Sequence, residues 1–536
     1  MFVSFLMPHE TRAIKARHLC MFYKQLGELD PKDIAFIGTP EYFRDPEVLR
    51  AEGRGEWQPL FQEIFGFTPP ATLDGVLYHV LPDDLLAARL RRLRSPMKVY
   101  RALLTERLPE VERAFAAGLD ALGAVRPIEA VLLFANVLSV EQVARERGIP
   151  VIHNEVGPLR GPVYIPTAYW DRRGVNGHTD ALRRYRAFRR EIGRRDIGVL
   201  TRPELLRTMR RIQPLEGPAV SDAPYLIGVA LQVDDDSNLL AYARGFSGLD
   251  LTMAARNAVP KDRVLIRCHP QGLSSDNGHL GIIDRSPDVA DFIQACQTVI
   301  TVNSSTALEA MLFGRRVVVY GDSPFRIAAD RALDGPSRRS EADRLLALNF
   351  LLFGYLMPYA LIFDADYSRW RLGDPPELDI YRFHQRWYRE QLQLDGHEGP
   401  VTFSTTAKLL PAWFAGRRDQ GVMVFGAGEG APALIDHLRA NGVTLLGVFD
   451  SDERKWGSRI AGLSVSPPAY RDDVVVVVAS LNYAEAMTAR LRSLGYPADR
   501  IVTLLPGPVL PGSALPGLAL PGSPGQAERY PHARAS

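Results

Sequence analysis

Four short apolar runs between Tyr225 and Gly321 constrain the chain more than any other feature: YLIGVALQ, RVLIRCHP, TVITVN and RRVVVYG. Helical stretches such as VADFIQACQ and TALEAMLFG separate them. Short continuous apolar runs are strands buried on both faces, and strands alternating with helices build a parallel sheet. The same alternation occurs earlier, in DIAFIG near Ile37, in AVLLFAN ending at Asn136, and in SVEQVARERG followed by PVIHNE.

A chain of 536 residues holds roughly three domains at about 100 to 200 residues each. PLEGPAVSDAP, from Pro214 to Pro224, is rich in turn residues and separates the two α/β units as a linker. A third unit starts near Gly421 with VMVFGAGEG and ends near Leu505, and Pro506 to Ser536 is dominated by Pro, Gly, Ser and Ala with repeated LPG. Such a tail supplies no packed core and is expected to be disordered. The expected fold class is α/β, with a GT-B-like pair of Rossmann-type domains, a third small Rossmann-like domain and the tail. The boundaries read 1–215 for an acceptor-side domain, 216–400 for a nucleotide-sugar-binding domain with closing helices, 420–505 for the small domain and 506–536 for the tail. The site of such a pair is the cleft between its lobes.

The 64 basic and 62 acidic residues nearly cancel, so bulk charge names no nucleic-acid partner. Cys20, Cys268 and Cys296 are too scattered for a disulfide framework and form no CxxC pair, which fits a reducing cytoplasm. The start, MFVSFLMPHETRAIKARHLC, places its apolar residues before its charges, the reverse of a secretory signal. Leu345 to Phe363 is uncharged and long enough to cross a bilayer, but Asn349, Gly354 and Pro358 interrupt it, and a buried core helix pair is expected instead. Arginines crowd the stretch from Asp171 to Arg211, which reads either as a patch for anionic headgroups or an anionic acceptor glycan, or as a solvated helix face.

Candidate chemistry gathers at strand ends, where open α/β sheets bind ligands. LIRCHPQG places Arg267 and His269 there, and TVNSSTALEAMLFG sets Asn303, Ser304 and Ser305 before a helix with Glu309 one turn on. Hydroxyls and free N–H groups at a helix start form a phosphate cradle. Each residue also has a plainer reading: Ser304 as a cap, His269 as a core histidine, Glu309 as a surface residue. LQVDDDSN carries Asp234, Asp235 and Asp236 after another strand, either as a solvated turn or as the carboxylate that attacks an anomeric carbon. Glu155, ending PVIHNE, is a candidate for the group that takes the acceptor's proton.

At these residues the chain resembles the bacterial capsule and lipopolysaccharide retaining β-Kdo transferases. The resemblance rests on HNEVGPLRGPVYIPTAYWDRRGVN, with Glu155, Asp171, Gly174, Val175 and Asn176, on Gln232 with Asp236 and Ser237, on His269-Pro270, and on Asn303-Ser304-Ser305 with Glu309, over roughly residues 130 to 385. It implies Asp236 as nucleophile, with Asp234 and Asp235 next in line, and Glu155 as acceptor-side base. His269, Ser304 and Ser305 become contacts to the CMP phosphate, and Arg267, Asn303, Glu309, Gln232 and Asn176 further substrate-binding residues. CMP already leaves as a phosphate monoester, and no DxD motif stands convincingly at a strand end, the run Asp234 to Asp236 being the nearest match, so metal-independent transfer with no required cofactor ranks first. The expected partners are a CMP-sugar donor, a saccharide or glycolipid acceptor and a peripheral inner-membrane contact.

In the third unit, Gly426, Gly428 and Ala431 of GAGEGA follow an apolar strand, and LLGVFD ends at Asp450, about 20 residues on, where a Rossmann fold binds ribose hydroxyls. Nucleotide binding and a scaffold role both fit, and the absence of a nearby Tyr-x-x-x-Lys pair disfavours hydride chemistry. Two rival functions remain: a non-catalytic polysaccharide assembly or export factor, and an NAD(P)-dependent sugar-nucleotide oxidoreductase or epimerase.

Overall fold

The computed structural model describes residues 1–8, 15–48, 69–161, 163–192, 199–211, 219–233, 236–269, 279–286, 288–335, 337, 339–394, 421–428, 430–440, 442–479, 484–497 and 500–503. Asp234, Asp235, Pro270, residues 214–218 of the expected linker and the tail from Pro506 lie outside these residues. The fold is mixed α/β, with three largely parallel sheets.

The first sheet contains β1 (Phe2–Phe5), β2 (Ile34–Gly38), β3 (Tyr78–Val80), β4 (Ala130–Leu133), β5 (Val151–Val156) and β6 (Thr167–Asp171). Strands β3, β2, β1, β4 and β5 lie side by side and parallel, and β6 returns antiparallel along β5. Every residue of β1, β2 and β4 is buried because helices cover both faces. Phe22, Phe36, Trp170 and Tyr367 fill one side, and Phe5, Ile37, Phe115 and Val131 the other.

The second sheet holds β7 (Tyr225–Ala230), β8 (Val264–Arg267), β9 (Ile282–Ile283), β10 (Cys296–Thr301) and β11 (Arg316–Val319), all parallel in the order β11-β10-β7-β8-β9. The chain order therefore reverses at β7, and ligands of open α/β sheets bind outside the carboxyl ends of strands at such a point. The four apolar runs that suggested strands are β7, β8, β10 and β11.

Leu345 to Phe363 is largely buried but is not a helix pair. The helix Glu341–Asn349 runs into a π-helix, Phe350–Tyr355, then into β12 (Leu356–Pro358) and a 3-10 turn, Tyr359–Phe363. Pro358 lacks an N–H and ends regular pairing, and β12 docks antiparallel on β6 of the first sheet. The chain thus crosses back, and the closing helices assigned to the second domain pack on the first lobe. Arg184 pairs with Glu377 at 2.8 Å, and Arg369 binds Asp33 at 2.6 Å and Glu129 at 2.8 Å. Among the described residues, no helix is long and apolar enough to cross a membrane.

The third sheet has β13 (Gly421–Phe425), β14 (Leu445–Phe449), β15 (Arg459–Ile460), β16 (Leu463–Ser466), β17 (Val474–Val478) and β18 (Ile501–Thr503) in the order β15-β16-β14-β13-β17-β18, a Rossmann-like arrangement about β13.

Candidate active site

Glu155 and Asp236 come from different lobes. Glu155 sits on β5 opposite Tyr169 of β6, and its Oε1 accepts the Val156 N–H at 2.8 Å. Asp236 is the N-cap of the six-residue helix Ser237–Tyr242 that follows β7, and its Oδ1 accepts the Asn238 N–H at 2.9 Å. That bond fixes the carboxylate while using one of its two oxygens.

Tyr100 of the first lobe reaches the helix that Asp236 caps. It rides on the helix Pro96–Thr105, started by Pro96 after the N-cap Ser95, and that helix packs on Ser237–Tyr242 across the lobe boundary. Burial, then the negative charge of Glu155, then that of Asp236, hold the Tyr100 proton on well above the usual phenol range, and its hydroxyl interacts with Ser237. One phenol thus senses both candidate carboxylates. Tyr100 escapes sequence reading because Val99, Leu103 and Leu104 around it look like, and are, a core face.

Behind Asp236, Gln232 and Asn303 bind each other. Gln232 Nε2 donates to Asn303 Oδ1 at 3.0 Å, and the Asn303 N–H donates to Gln232 Oε1 at 3.2 Å. Asn303 Nδ2 then donates to the Asn238 carbonyl at 2.9 Å. These amides, expected to bind substrate, tie the ends of β7 and β10 to the helix carrying Asp236.

Ser305, rather than Ser304, occupies the cap position of the helix Thr306–Leu312, in a helical conformation and without a side-chain cap bond. The Ser304 hydroxyl engages Thr306, accepting its N–H at 3.3 Å. His269 is half-buried just beyond β8. Arg267 is already paired: its guanidinium holds Asp284 and donates to the Ser286 carbonyl at 3.0 Å. A paired arginine offers a phosphate much less than a full charge.

Glu309 is buried rather than on the surface. It is 8% exposed and accepts the Tyr164 O–H at 2.8 Å. Arg210, also from the first lobe, pairs with Asp288 at 2.7 Å and lies 5.5 Å from the centre of the Tyr164 ring. Burial is the main reason that the Glu309 carboxyl is pushed up to about 7; Tyr164 opposes it, Asp288 adds to it, and Arg210 and Arg267 oppose it. The sequence reading missed this interlobe network because its members are far apart in the chain.

Asn176 takes a left-handed conformation, φ 65°, in the loop after β6. Asp171 shapes that loop, accepting the N–H groups of Arg173 at 2.7 Å and Asp180 at 2.9 Å. Further on, Arg183, Arg186, Arg189 and Arg190 line a surface cavity of about 470 Å³.

The third domain satisfies its own loop. Gly426 has φ 113°, the conformation for which glycine is needed in GAGEGA, while Gly428 meets nothing within 4 Å of where a Cβ would stand. The buried Asp450, however, accepts the Ala427 N–H at 2.6 Å, the Asp452 N–H at 2.8 Å and Lys455 Nζ at 3.2 Å. The carboxylate expected to hold ribose is committed to the protein, as is the Ala427 N–H of the glycine loop, so this arrangement does not fit a dinucleotide.

The two Rossmann-type lobes touch through the helices Pro96–Thr105 and Ser237–Tyr242. Residues 4–180 match the Glycosyltransferase 99 family N-terminal domain. No curated protein matches the chain significantly. Among solved structures, it is similar to KpsC, beta Kdo 2,7 transferase, of Thermosulfurimonas dismutans, with 20% identity over 46% of this chain and 84% of that one and a TM-score of 0.34. The beta Kdo 2,4 transferase of the same KpsC gives 16% identity over 42% and 79%, with a TM-score of 0.29. A UDP-GlcNAc 2-epimerase from Neisseria meningitidis gives 12% identity over 73% and 100%, with a TM-score of 0.23.

Proposed function

We propose that the chain is a retaining glycosyltransferase that moves Kdo, or a related ulosonic acid, from CMP-Kdo to a saccharide or glycolipid acceptor of capsule or lipopolysaccharide, at the cytoplasmic face of the inner membrane. The observation that carries this reading is the packing of the first lobe's helix Pro96–Thr105 on the second lobe's helix Ser237–Tyr242, which Asp236 caps, in a chain whose first lobe matches a glycosyltransferase domain.

In the first step the free Asp236 oxygen attacks the anomeric C2 of Kdo. The C2–O bond breaks and its electron pair leaves on the CMP phosphate. In the second step Glu155 takes the acceptor hydroxyl proton as the acceptor oxygen attacks C2 and expels Asp236, so two inversions give net retention. Because Asp284 neutralises Arg267, stabilisation of the leaving phosphate falls to His269, the Ser304 and Ser305 hydroxyls and nearby N–H groups. The arginine-lined cavity favours an anionic partner, an acceptor glycan or phospholipid headgroups.

The test is to incubate the purified full chain with CMP-Kdo and candidate acceptors while measuring CMP release. Acceptor-dependent release is expected. No turnover with any CMP-ulosonic acid, together with tight NAD(P) binding, would point to the oxidoreductase, and no turnover without such binding to an assembly or export factor.

A further inference from the structure

The side chain of Asn136 holds both lobes at once. It stands just beyond β4, is 5% exposed, and has no polar atom to spare. Its Oδ1 accepts the Val175 N–H at 2.8 Å, and its Nδ2 reaches the Val175 carbonyl at 3.0 Å, the Gly177 carbonyl at 3.1 Å and the hydroxyl of Tyr242. Val175 and Gly177 belong to the first lobe's loop after β6, whereas Tyr242 is the last residue of the second lobe's helix Ser237–Tyr242, the helix capped by Asp236.

The fit around Tyr242 is close. A Cβ on Gly177 would stand 2.2 Å from the Tyr242 ring, so only glycine admits the ring there. The His178 ring meets it edge-on at 5.4 Å. The Tyr242 carbonyl accepts the Asp322 N–H at 2.8 Å, and Asp322 Oδ2 accepts the His178 N–H at 3.0 Å. Leu240 and Ala241 of the same helix pack against the first lobe's core.

A helix of six residues is about 9 Å long and too short to fix its own direction through internal hydrogen bonds. Its two ends must be held from outside, and they are: Asn303 grips the Asn238 carbonyl at the start, and Asn136 with the Gly174 to His178 loop grips Tyr242 at the end. The DRRGVNGH segment, whose Asn176 suggested a substrate contact, thereby also holds the end of this helix.

We propose that Asn136 and Tyr242 form an interlobe clamp that aims Asp236 at the anomeric carbon, making them positioning residues for transfer. The clamp rests on the reading of Asp236 as the nucleophile. It couples attack to lobe approach, because the hydroxyl of Tyr242 meets Asn136 only when the lobes are together. The interaction is neutral on both sides, so it holds the helix without altering the charge of the carboxylate.

Tyr242→Phe tests it, since the ring that fills the space beside Gly177 is kept and only the hydroxyl is removed. In single-turnover mixing with CMP-Kdo, the rate constant for CMP release should fall about tenfold to a hundredfold, with donor KM within about twofold, as expected when a reacting group is misplaced by an ångström or so. Rate constants taken from the time course are insensitive to an inactive fraction, so a partly unfolded preparation does not imitate the effect. Asn136→Ala, which also loses the bonds to Val175 and Gly177, should lower kcat at least as much, and adding Tyr242→Phe to it should have little further effect, because the Asn136–Tyr242 bond is then already gone. An unchanged rate constant in Tyr242→Phe, with wild type active and Asp236→Asn dead, would overturn the clamp alone. Wild type failing to release CMP would instead overturn the transferase reading.

Discussion

Replacing Glu309 with Gln should change how stability depends on pH, and the size of the change follows from the burial of one carboxyl. Glu309 is enclosed by Tyr164 and Arg210 from the first lobe and by Asp288 and Arg267 from the second, and its pKa rises from 4.5 to about 7. The folded state therefore holds a proton that the unfolded chain releases between these values. Stability falls as pH rises through that window, and above it the folded protein bears the full cost, about 3 kcal/mol at 1.36 kcal/mol per unit. Glutamine keeps an acceptor for the Tyr164 O–H but has no charge to bury. Urea unfolding of the two-lobed part, at several values from about pH 5 to about pH 8, should show wild type losing about 2 to 3 kcal/mol relative to the variant. Parallel curves for the two proteins would refute the reasoning, because they would mean that Glu309 titrates alike in both states.

Four further outcomes are expected. His269→Ala, and separately Ser304→Ala with Ser305→Ala, should each weaken CMP binding by about 1.5 to 3 kcal/mol for each charge-assisted hydrogen bond removed, and unchanged calorimetric affinity would exclude them from the site. Gly177→Ala should lower the melting temperature and slow transfer, because its methyl group would overlap the Tyr242 ring; a variant as stable and active as wild type would refute the close fit. Arg186→Glu with Arg190→Glu should weaken binding to an anionic acceptor or to anionic vesicles while leaving CMP affinity unchanged, and equal partner binding would make the arginine face merely solvated. NAD(P) should not bind to the third domain, where Asp450 is taken up by Ala427, Asp452 and Lys455; micromolar binding by calorimetry would show that this network opens.

The sheets were legible because parallel strands buried on both faces read as unbroken apolar runs, as VLIR in β8 and VVVVV in β17 do. The same property hid β12: within Leu345 to Phe363 every residue suits a core, and no periodicity separates helix from strand. Only Gly354, where a Cβ would stand 2.5 Å from the Phe350 ring, and Pro358 hint at the breaks. In the candidate site, strand-end position pointed to Gln232, Asn303 and Arg267, but their partners did not show in the sequence. Amides that pair with each other and an arginine neutralised by Asp284 look, one residue at a time, the same as free ligand-binding groups. Tyr100, Asn136 and Tyr242 were invisible for a related reason, since an interlobe hydrogen bond spanning 106 residues leaves no local pattern.

Intact-protein mass spectrometry after mixing with CMP-Kdo bears most directly on the double-displacement account. Glu155→Gln can still attack the donor through Asp236 but lacks the base for the second step, so a Kdo-sized adduct should accumulate on it. Asp236→Asn cannot form that bond and should remain at its unmodified mass. An adduct on Asp236→Asn would move the nucleophile elsewhere, with Asp234 and Asp235 next in line, and full transfer activity in both variants would contradict the two-carboxylate mechanism altogether.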